Sequence, residues 1–251
     1  MPGSMSQTLK LAIPGQGEVT VKVDAPAAAS PAKKVLGTAL SGDVSPTTPA
    51  LILAHGANNN LDFPLLSYIA ERLAAIGCAR VIRFNFPYVE RGATSPDPRP
   101  ILEATFLQVY AYVLDEMPAA GTPVFVAGKS LGGRTAAELV SRRVEGNGID
   151  AAGLVVLGYP LHAMGKQDRL FLEPVRHIDI PSLFCVGSRD PLCNPDLLRP
   201  VLARLAYPGR LHVVEDGDHS LHLPPSSDRR PEDGYPDVAR EVADFIQTVA
   251  A

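Results

Sequence analysis

The sequence predicts an α/β fold: a mostly parallel sheet with helices on both faces and no large cap domain. Three observations carry this expectation. From residue 49 onward, apolar runs of five to eight residues alternate with longer stretches of helical periodicity, as in repeated strand–helix–strand units. The runs are continuously apolar rather than alternating, as strands covered on both faces require. The chain has 251 residues and is 46% hydrophobic, enough to bury one sizeable core, so residues 1–251 are treated as one domain.

Taken in chain order, residues 1–7 are set aside as disordered or as a cloning remnant, because Met-Pro-Gly-Ser precedes a second Met. Residues 8–48 read as N-terminal antiparallel strands, with VTVKV at 19–23 as the clearest, broken by a loose connector, APAAASPAKK, at 25–34. The main strands are expected at ALILA (50–54), ARVIRF (79–84), TPVFVAG (122–128), GLVVLG (153–158), PSLFCVG (181–187) and RLHVVE (210–215). Helical patterns fall between and after them at 64–76, 101–117, 131–143, 194–205 and 236–249. In the last of these, Val238, Val242, Phe245 and Ile246 share a face. Pro-rich patches at 95–100 and 224–231 read as surface loops. Only about 22 residues separate Gly158 from Pro181, too few for a large cap.

Composition excludes several function classes. A net charge of -4 and a pI near 5.9, with no dense Lys/Arg block, give little attraction for a nucleic acid backbone or an anionic membrane. No apolar run approaches the roughly 20 residues that span a bilayer, and the N-terminus lacks a basic-then-apolar leader, so a cytoplasmic protein is expected. Cys78, Cys185 and Cys193 show no CxxC spacing and no His pattern for zinc; they read as buried thiols in a reducing compartment. No metal and no organic cofactor has sequence support, and the sequence leaves the oligomeric state open.

The stretch VFVAGKSLGGR, residues 124–134, carries the chemistry. GKS ends a phosphate-binding loop, but that loop needs glycine five residues before Gly128, where Pro123 stands in an apolar strand. GKSLG is instead a GxSxG nucleophile elbow: strand, sharp turn, helix, with small residues around Ser130 because the turn is crowded. Composition alone produces GxSxG in about one chain in ten of this length, so context must carry the assignment. A serine hydroxyl needs an imidazole base, and the imidazole needs a carboxylate to hold its tautomer. Both are expected beyond later strand ends, in the order Ser, acid, His. PSLFCVGSRDP places Asp190 there, with Asp168 as the second choice; RLHVVEDGDHSLH places His219, with His222 as the second choice.

An oxyanion hole needs two backbone N–H groups. One is expected from Leu131, after the nucleophile and at a helix N-terminus. The other is expected from the loop after the first parallel strand, at Ala57 or, second, Asn58, because Gly56 permits close approach. His55 is read as part of that loop and as a candidate to line the pocket. His162, in GYPLH, is a candidate to line the pocket, with a plain loop histidine as the alternative. Lys129 flanks the nucleophile and is a further lining candidate; surface solvation or a structural ion pair is its alternative role, as for Arg134.

With these pieces in hand, the chain resembles the α/β-hydrolase superfamily, and more narrowly its small dienelactone-hydrolase-like branch. The matching segments are LILAHGANNNLDFP, VIRFNFPY, VAGKSLGGR, LGYPLH, CVGSRDP and VEDGDHSL, spanning about residues 50–250. The resemblance implies an eight-stranded α/β-hydrolase sheet with Ser130, Asp190 and His219 as the triad. Tyr88 and Asn58 are further candidates to line the pocket. Two departures stand out. Dienelactone hydrolases proper carry a cysteine nucleophile where this chain has serine, and many esterases have HGG or HGxG where this chain has HGANNN. The expected function is hydrolysis of a small-molecule carboxylic ester, thioester or amide through an acyl-enzyme. The alternative is a non-catalytic protein-interaction scaffold on the same fold.

Overall fold

The computed structural model describes residues 4–27, 47–116, 121–225 and 228–251. An antiparallel hairpin begins the chain: β1 (Ser4–Ile13) and β2 (Gly17–Pro26), in register from Ser4 opposite Pro26 to Ile13 opposite Gly17. Residues 4–7, expected outside the fold, are therefore strand residues, laddered on one side to residues 23–26. Of the connector expected at 25–34, residues 28–34 lie outside the described residues, as do 35–46.

Six further strands follow: β3 (Ala50–Ala54), β4 (Arg80–Phe84), β5 (Val124–Lys129), β6 (Gly153–Leu157), β7 (Ser182–Gly187) and β8 (Arg210–Val214). They run parallel to one another, and β2 joins β4 antiparallel, giving one eight-stranded sheet in the order β1-β2-β4-β3-β5-β6-β7-β8. Every residue of β3 through β7 is buried, which explains their largely apolar character; Arg80 and Arg83 on β4 and Lys129 at the end of β5 are charged residues buried among them. The two faces feed separate cores. Leu51 and Leu53 pack with α1 (Pro64–Ala75) and α7 (Tyr235–Ala250), through Leu66, Ile69, Val242 and Phe245. Ala50, Ile52 and Ala54 face the other side, against α3 (Arg99–Glu116) and α4 (Leu131–Ser141), through Phe106, Val109, Ala136 and Val140. Each fully buried leucine or phenylalanine contributes roughly 1.5–3 kcal/mol. Three more helices complete the layers: α2 (Pro87–Glu90), α5 (Glu173–Arg176) and α6 (Pro195–Leu202).

The strand runs matched the expected positions within two residues; the helix boundaries shifted for local reasons. α3 begins at Arg99, inside the Pro-rich patch expected to be a loop, because Pro100 in a first helical turn lacks only an N–H that would be unpaired anyway. α4 stops at Ser141 and gives way to a 3-10 turn, Arg143–Glu145, ended by Gly146 in the left-handed region. α6 is capped by Asn194, whose side chain accepts the Asp196 N–H at 3.0 Å. The four-residue helices α2 and α5 are too short to show periodicity. Between β6 and β7 the chain forms loops and α5 only, so no large cap covers the strand ends.

One buried polar hub positions the loop after β3. Arg83, on β4 and fully buried, donates from Nε and Nη2 to Asp24 Oδ2 at 3.0 and 2.8 Å. Its Nη1 reaches the Leu61 carbonyl at 2.7 Å and Ser67 Oγ at 2.8 Å. The guanidinium thus ties the hairpin to the segment leading into α1, directly after HGANNN. From below, the Leu61 N–H donates to Asn85 Oδ1 at 2.9 Å. A charge buried with its partner and bonded through all three guanidinium nitrogens is costly to break on one side.

Candidate active site

The chain reverses direction in the sheet between β3 and β5, the place where open α/β sheets leave a crevice at their strand ends. Ser130 sits there, between the last residue of β5 and the first of α4, with φ 49° and ψ -109°. This conformation is strained by about 1–3 kcal/mol, and the surroundings enforce it. The Ser130 N–H donates to the Leu157 carbonyl at 2.9 Å, and its carbonyl accepts the Arg134 N–H at 2.8 Å. The helix crosses the strand so closely that a Cβ on Gly128 would lie 2.3 Å from the Gly132 carbonyl carbon, and one on Gly132 would lie 2.6 Å from the His55 carbonyl oxygen. The glycines of the motif are spacing requirements.

His219 Nε2 lies 2.9 Å from Ser130 Oγ, and His219 Nδ1 lies 2.8 Å from Asp190 Oδ2. The second Asp190 oxygen accepts the Leu192 N–H at 2.8 Å, and the carboxylate is wholly buried while the imidazole is one-fifth exposed. Two loops hold these groups in place. Gly187 approaches the Gly217 carbonyl so tightly that a Cβ would sit 2.1 Å from it, and the Arg189 N–H donates to the same carbonyl at 2.9 Å. Asp218 closes the His219 turn by accepting the Ser220 and His222 N–H groups at 2.7 and 3.0 Å. The structure therefore brings Ser130, His219 and Asp190 into one hydrogen-bonded chain. The second choices are elsewhere: Asp168 is exposed in the loop after β6, and His222 is bonded through Nε2 to Tyr235 Oη at 2.6 Å.

His55, expected in the oxyanion loop, is fully buried and acts on that loop from behind. Its Nε2 accepts the Phe86 N–H at 3.1 Å, so Nδ1 carries the proton and donates to the Gly56 carbonyl at 2.8 Å. Tyr88 Oη reaches the same carbonyl at 3.4 Å. With the Gly56 carbonyl turned inward, the N–H of the same peptide, that of Ala57, points the opposite way. Gly56 itself abuts Ser130, since a Cβ there would stand 3.4 Å from Ser130 Cβ. Among the described residues, neither Ala57 N–H nor Leu131 N–H has a protein acceptor. The remainder of HGANNN is held by its own asparagines. Asn58 takes a left-handed φ of 56°, and Asn59 Nδ2 donates to the Ala57 carbonyl at 2.7 Å. Asn59 and Arg83, unrecognised from the sequence, thus support this loop; no local pattern marks either one.

Of the five candidates to line a pocket, two do so. Asn58 and Tyr88 border a cavity of about 520 Å3 beside the HGANNN loop, together with Asn59, Phe63 and Val89. His55 is behind the loop. His162 is buried and clamps the acid loop, accepting the Asn194 N–H at Nε2 (3.3 Å), with Nδ1 3.0 Å from the Ala163 carbonyl. Lys129, expected at the surface or in an ion pair, is 4% exposed, with Nζ 5.3 Å from the centroid of the Phe63 ring. Arg134 does form the expected ion pair, with Glu138 at 3.1 Å. Among the described residues no group of three or more His, Cys, Asp or Glu side chains could hold a metal ion, and no helix is long and apolar enough to cross a membrane.

Burial pushes the His55 imidazole down from 6.5 to about 4, against the opposing bond to Gly56. As pH falls below 6.5, the unfolded chain takes up a proton that folded His55 refuses until about 4. Stability is therefore lost across that window, by about 2–3 kcal/mol between pH 7 and 4.5 from this residue. Urea unfolding at the two pH values should show a smaller loss in His55→Gln than in the wild type; equal losses would contradict the assignment.

Solved structures share this architecture. A lidless α/β serine hydrolase from Xanthomonas campestris superimposes with a TM-score of 0.67 at 18% identity, over 97% of this chain and 94% of that one. A dienelactone hydrolase from Anabaena variabilis gives 0.66 at 15%, over 98% of each chain. Est1E from Butyrivibrio proteoclasticus, solved with ferulic acid, gives 0.67 at 13%, over 92% of this chain and 95% of that one. At these identities the likeness establishes the fold. A family model described as an alpha/beta hydrolase domain matches residues 47–247, from the start of the parallel sheet into the last helix, and the chain belongs to that family.

Proposed function

We propose that the protein is a serine hydrolase that cleaves carboxylic esters, and by the same chemistry thioesters or amides, through an acyl-enzyme. The hydrogen-bonded chain from Ser130 through His219 to Asp190 carries this reading. His219 Nε2 is 2.9 Å from the serine oxygen, within reach to take its proton as the oxygen attacks a carbonyl carbon. Asp190 accepts from Nδ1–H, which keeps the Nε2 lone pair facing Ser130 and stabilises the imidazolium that forms. Leu131 and Ala57 N–H groups receive the negative charge that develops on the carbonyl oxygen. The proton on His219 then goes to the leaving alkoxide, thiolate or amine, and the acyl group stays on Ser130. Water repeats the sequence: His219 takes its proton, the hydroxide attacks the acyl carbon, and collapse returns the proton to Ser130 and releases the acid.

The cavity of about 520 Å3 beside the oxyanion loop has room for a modest acyl or leaving group, and the strand ends carry no large cap. A small or extended substrate fits this arrangement best. Hydrolysis of p-nitrophenyl acetate tests the proposal. Wild-type protein is expected to turn the ester over, and Ser130→Ala to fall by about 10^4-fold or more. Equal rates for the two proteins would overturn the reading and favour a non-catalytic scaffold.

A further inference from the structure

The proposed mechanism uses every polar group at the elbow except one. Lys129 occupies the free position of GxSxG, where an apolar residue would pack at lower cost, yet its side chain is buried. Its ammonium seats over the Phe63 ring at 5.3 Å. Phe63 in turn lies 6.2 Å from the His222 ring, which is held by Tyr235. Among the described residues no carboxylate lies within ion-pair distance of Lys129 Nζ; the carboxylates it senses at longer range are those of Asp218 and Asp190. These two flank the imidazole: Asp218 precedes His219 in the chain, and Asp190 is bonded to it.

The charge balance of the resting site gives this placement a consequence. The Asp190 carboxylate is wholly buried, and its two direct partners, His219 Nδ1–H and Leu192 N–H, are neutral while His219 waits as a base. An isolated buried carboxylate draws a proton onto its neighbour. A second buried charge of opposite sign, close but unbonded, offsets that draw without competing for the hydrogen bond.

We infer that Lys129 is a positioning residue whose buried ammonium, seated over Phe63 beside the His219 loop, holds the His219–Asp190 pair in its neutral-imidazole form and extends hydrolysis to lower pH. It touches no substrate and acts through His219. The groups facing this region are Asp190 after β7; Asp218, His219 and His222 after β8; and Tyr235 on α7. Asp62, next to Phe63, is engaged by Lys22 and Arg83. Arg134 is taken up by Glu138 and stands over the Phe171 ring. Burial lowers the proton affinity of Lys129, while Asp218 and Asp190 work to keep its charge. The sign follows directly: removing a positive charge makes a proton on His219 easier to hold, so the acid limb of the rate profile moves to higher pH.

The inference rests on the acyl-enzyme reading, and one experiment separates the two. The pH profile of kcat/KM for p-nitrophenyl acetate is measured for wild type, Lys129→Met, Lys129→Gln and Lys129→Arg. The two neutral variants should titrate about 0.5–1 pH unit above the wild type, which is about 3–10-fold less activity on the acid limb relative to each plateau. Met keeps the packing over Phe63 and Gln keeps a polar head, so either one that folds gives the reading. Lys129→Arg should restore the wild-type midpoint. Neutral variants with the wild-type midpoint, or an Arg variant displaced as far as the neutral ones, would overturn the role of the charge and leave Lys129 a packing residue. A wild-type protein that turns over no ester would instead overturn the hydrolase reading beneath it.

Discussion

Asp190→Asn is expected to lower kcat for ester hydrolysis by about 10^4-fold while leaving the fold intact. The size of the effect follows from a tautomer. Asp190 Oδ1 accepts the Leu192 N–H, so that position demands an acceptor. An asparagine there places its carbonyl oxygen toward Leu192 and its NH2 group toward His219 Nδ1. Nδ1 must then accept, which moves the ring proton to Nε2, facing Ser130 Oγ at 2.9 Å. A base that presents N–H to the nucleophile cannot take its proton. Steady-state kinetics with a thermal melt beside them check this. A variant within tenfold of wild type would show that Asp190 does not orient the imidazole, and would return attention to Asp168.

Gly128→Ala is expected to destabilise the protein by more than about 4 kcal/mol, or to prevent folding. A methyl group on residue 128 would meet the Gly132 carbonyl carbon at 2.3 Å and the Gly133 nitrogen at 2.4 Å. These are backbone atoms of the first turn of α4, and no rotamer change can move them aside. The helix would have to lift from β5, carrying the Leu131 N–H away from Ser130 and breaking the packing of Ala136, Ala137 and Val140. Soluble yield and urea unfolding measure the outcome. A Gly128→Ala protein with wild-type stability would mean that strand and helix cross less closely than described.

What was legible in the sequence was whatever depends on local pattern. β3 through β7 could be located because strands buried on both faces leave continuous apolar runs. Asp190 and His219 were reachable because strand ends can be counted along the chain and the order nucleophile, acid, base limits the choice. The HGANNN loop lies beside Ser130, as its place after the first parallel strand suggested, but what shapes it was not legible. Asn59 closes on the Ala57 carbonyl, and Arg83 reaches in from β4, where nothing local tells which buried partners its guanidinium meets. His55, His162 and Lys129 were expected to face a pocket or solvent, and all three are buried. Their partners, Phe86, Asn194 and Phe63, are 31, 32 and 66 residues away in sequence. Burial of a polar side chain is decided by such distant contacts, and no periodicity announces it. The start of β1 was missed for a related reason: residues 4–7 are exposed, so only the ladder to β2 defines them as strand.

The most direct test of the account is covalent labelling of the folded protein by a fluorophosphonate, read by intact mass and peptide mapping. Ser130, as a nucleophile activated by His219, should gain one phosphonyl group with loss of fluoride, and the adduct should map to the peptide containing Ser130. The Ser130→Ala protein should remain unmodified under the same conditions. Absence of the adduct on folded wild-type protein, or an equal adduct on Ser130→Ala, would contradict the claim that Ser130 is the nucleophile.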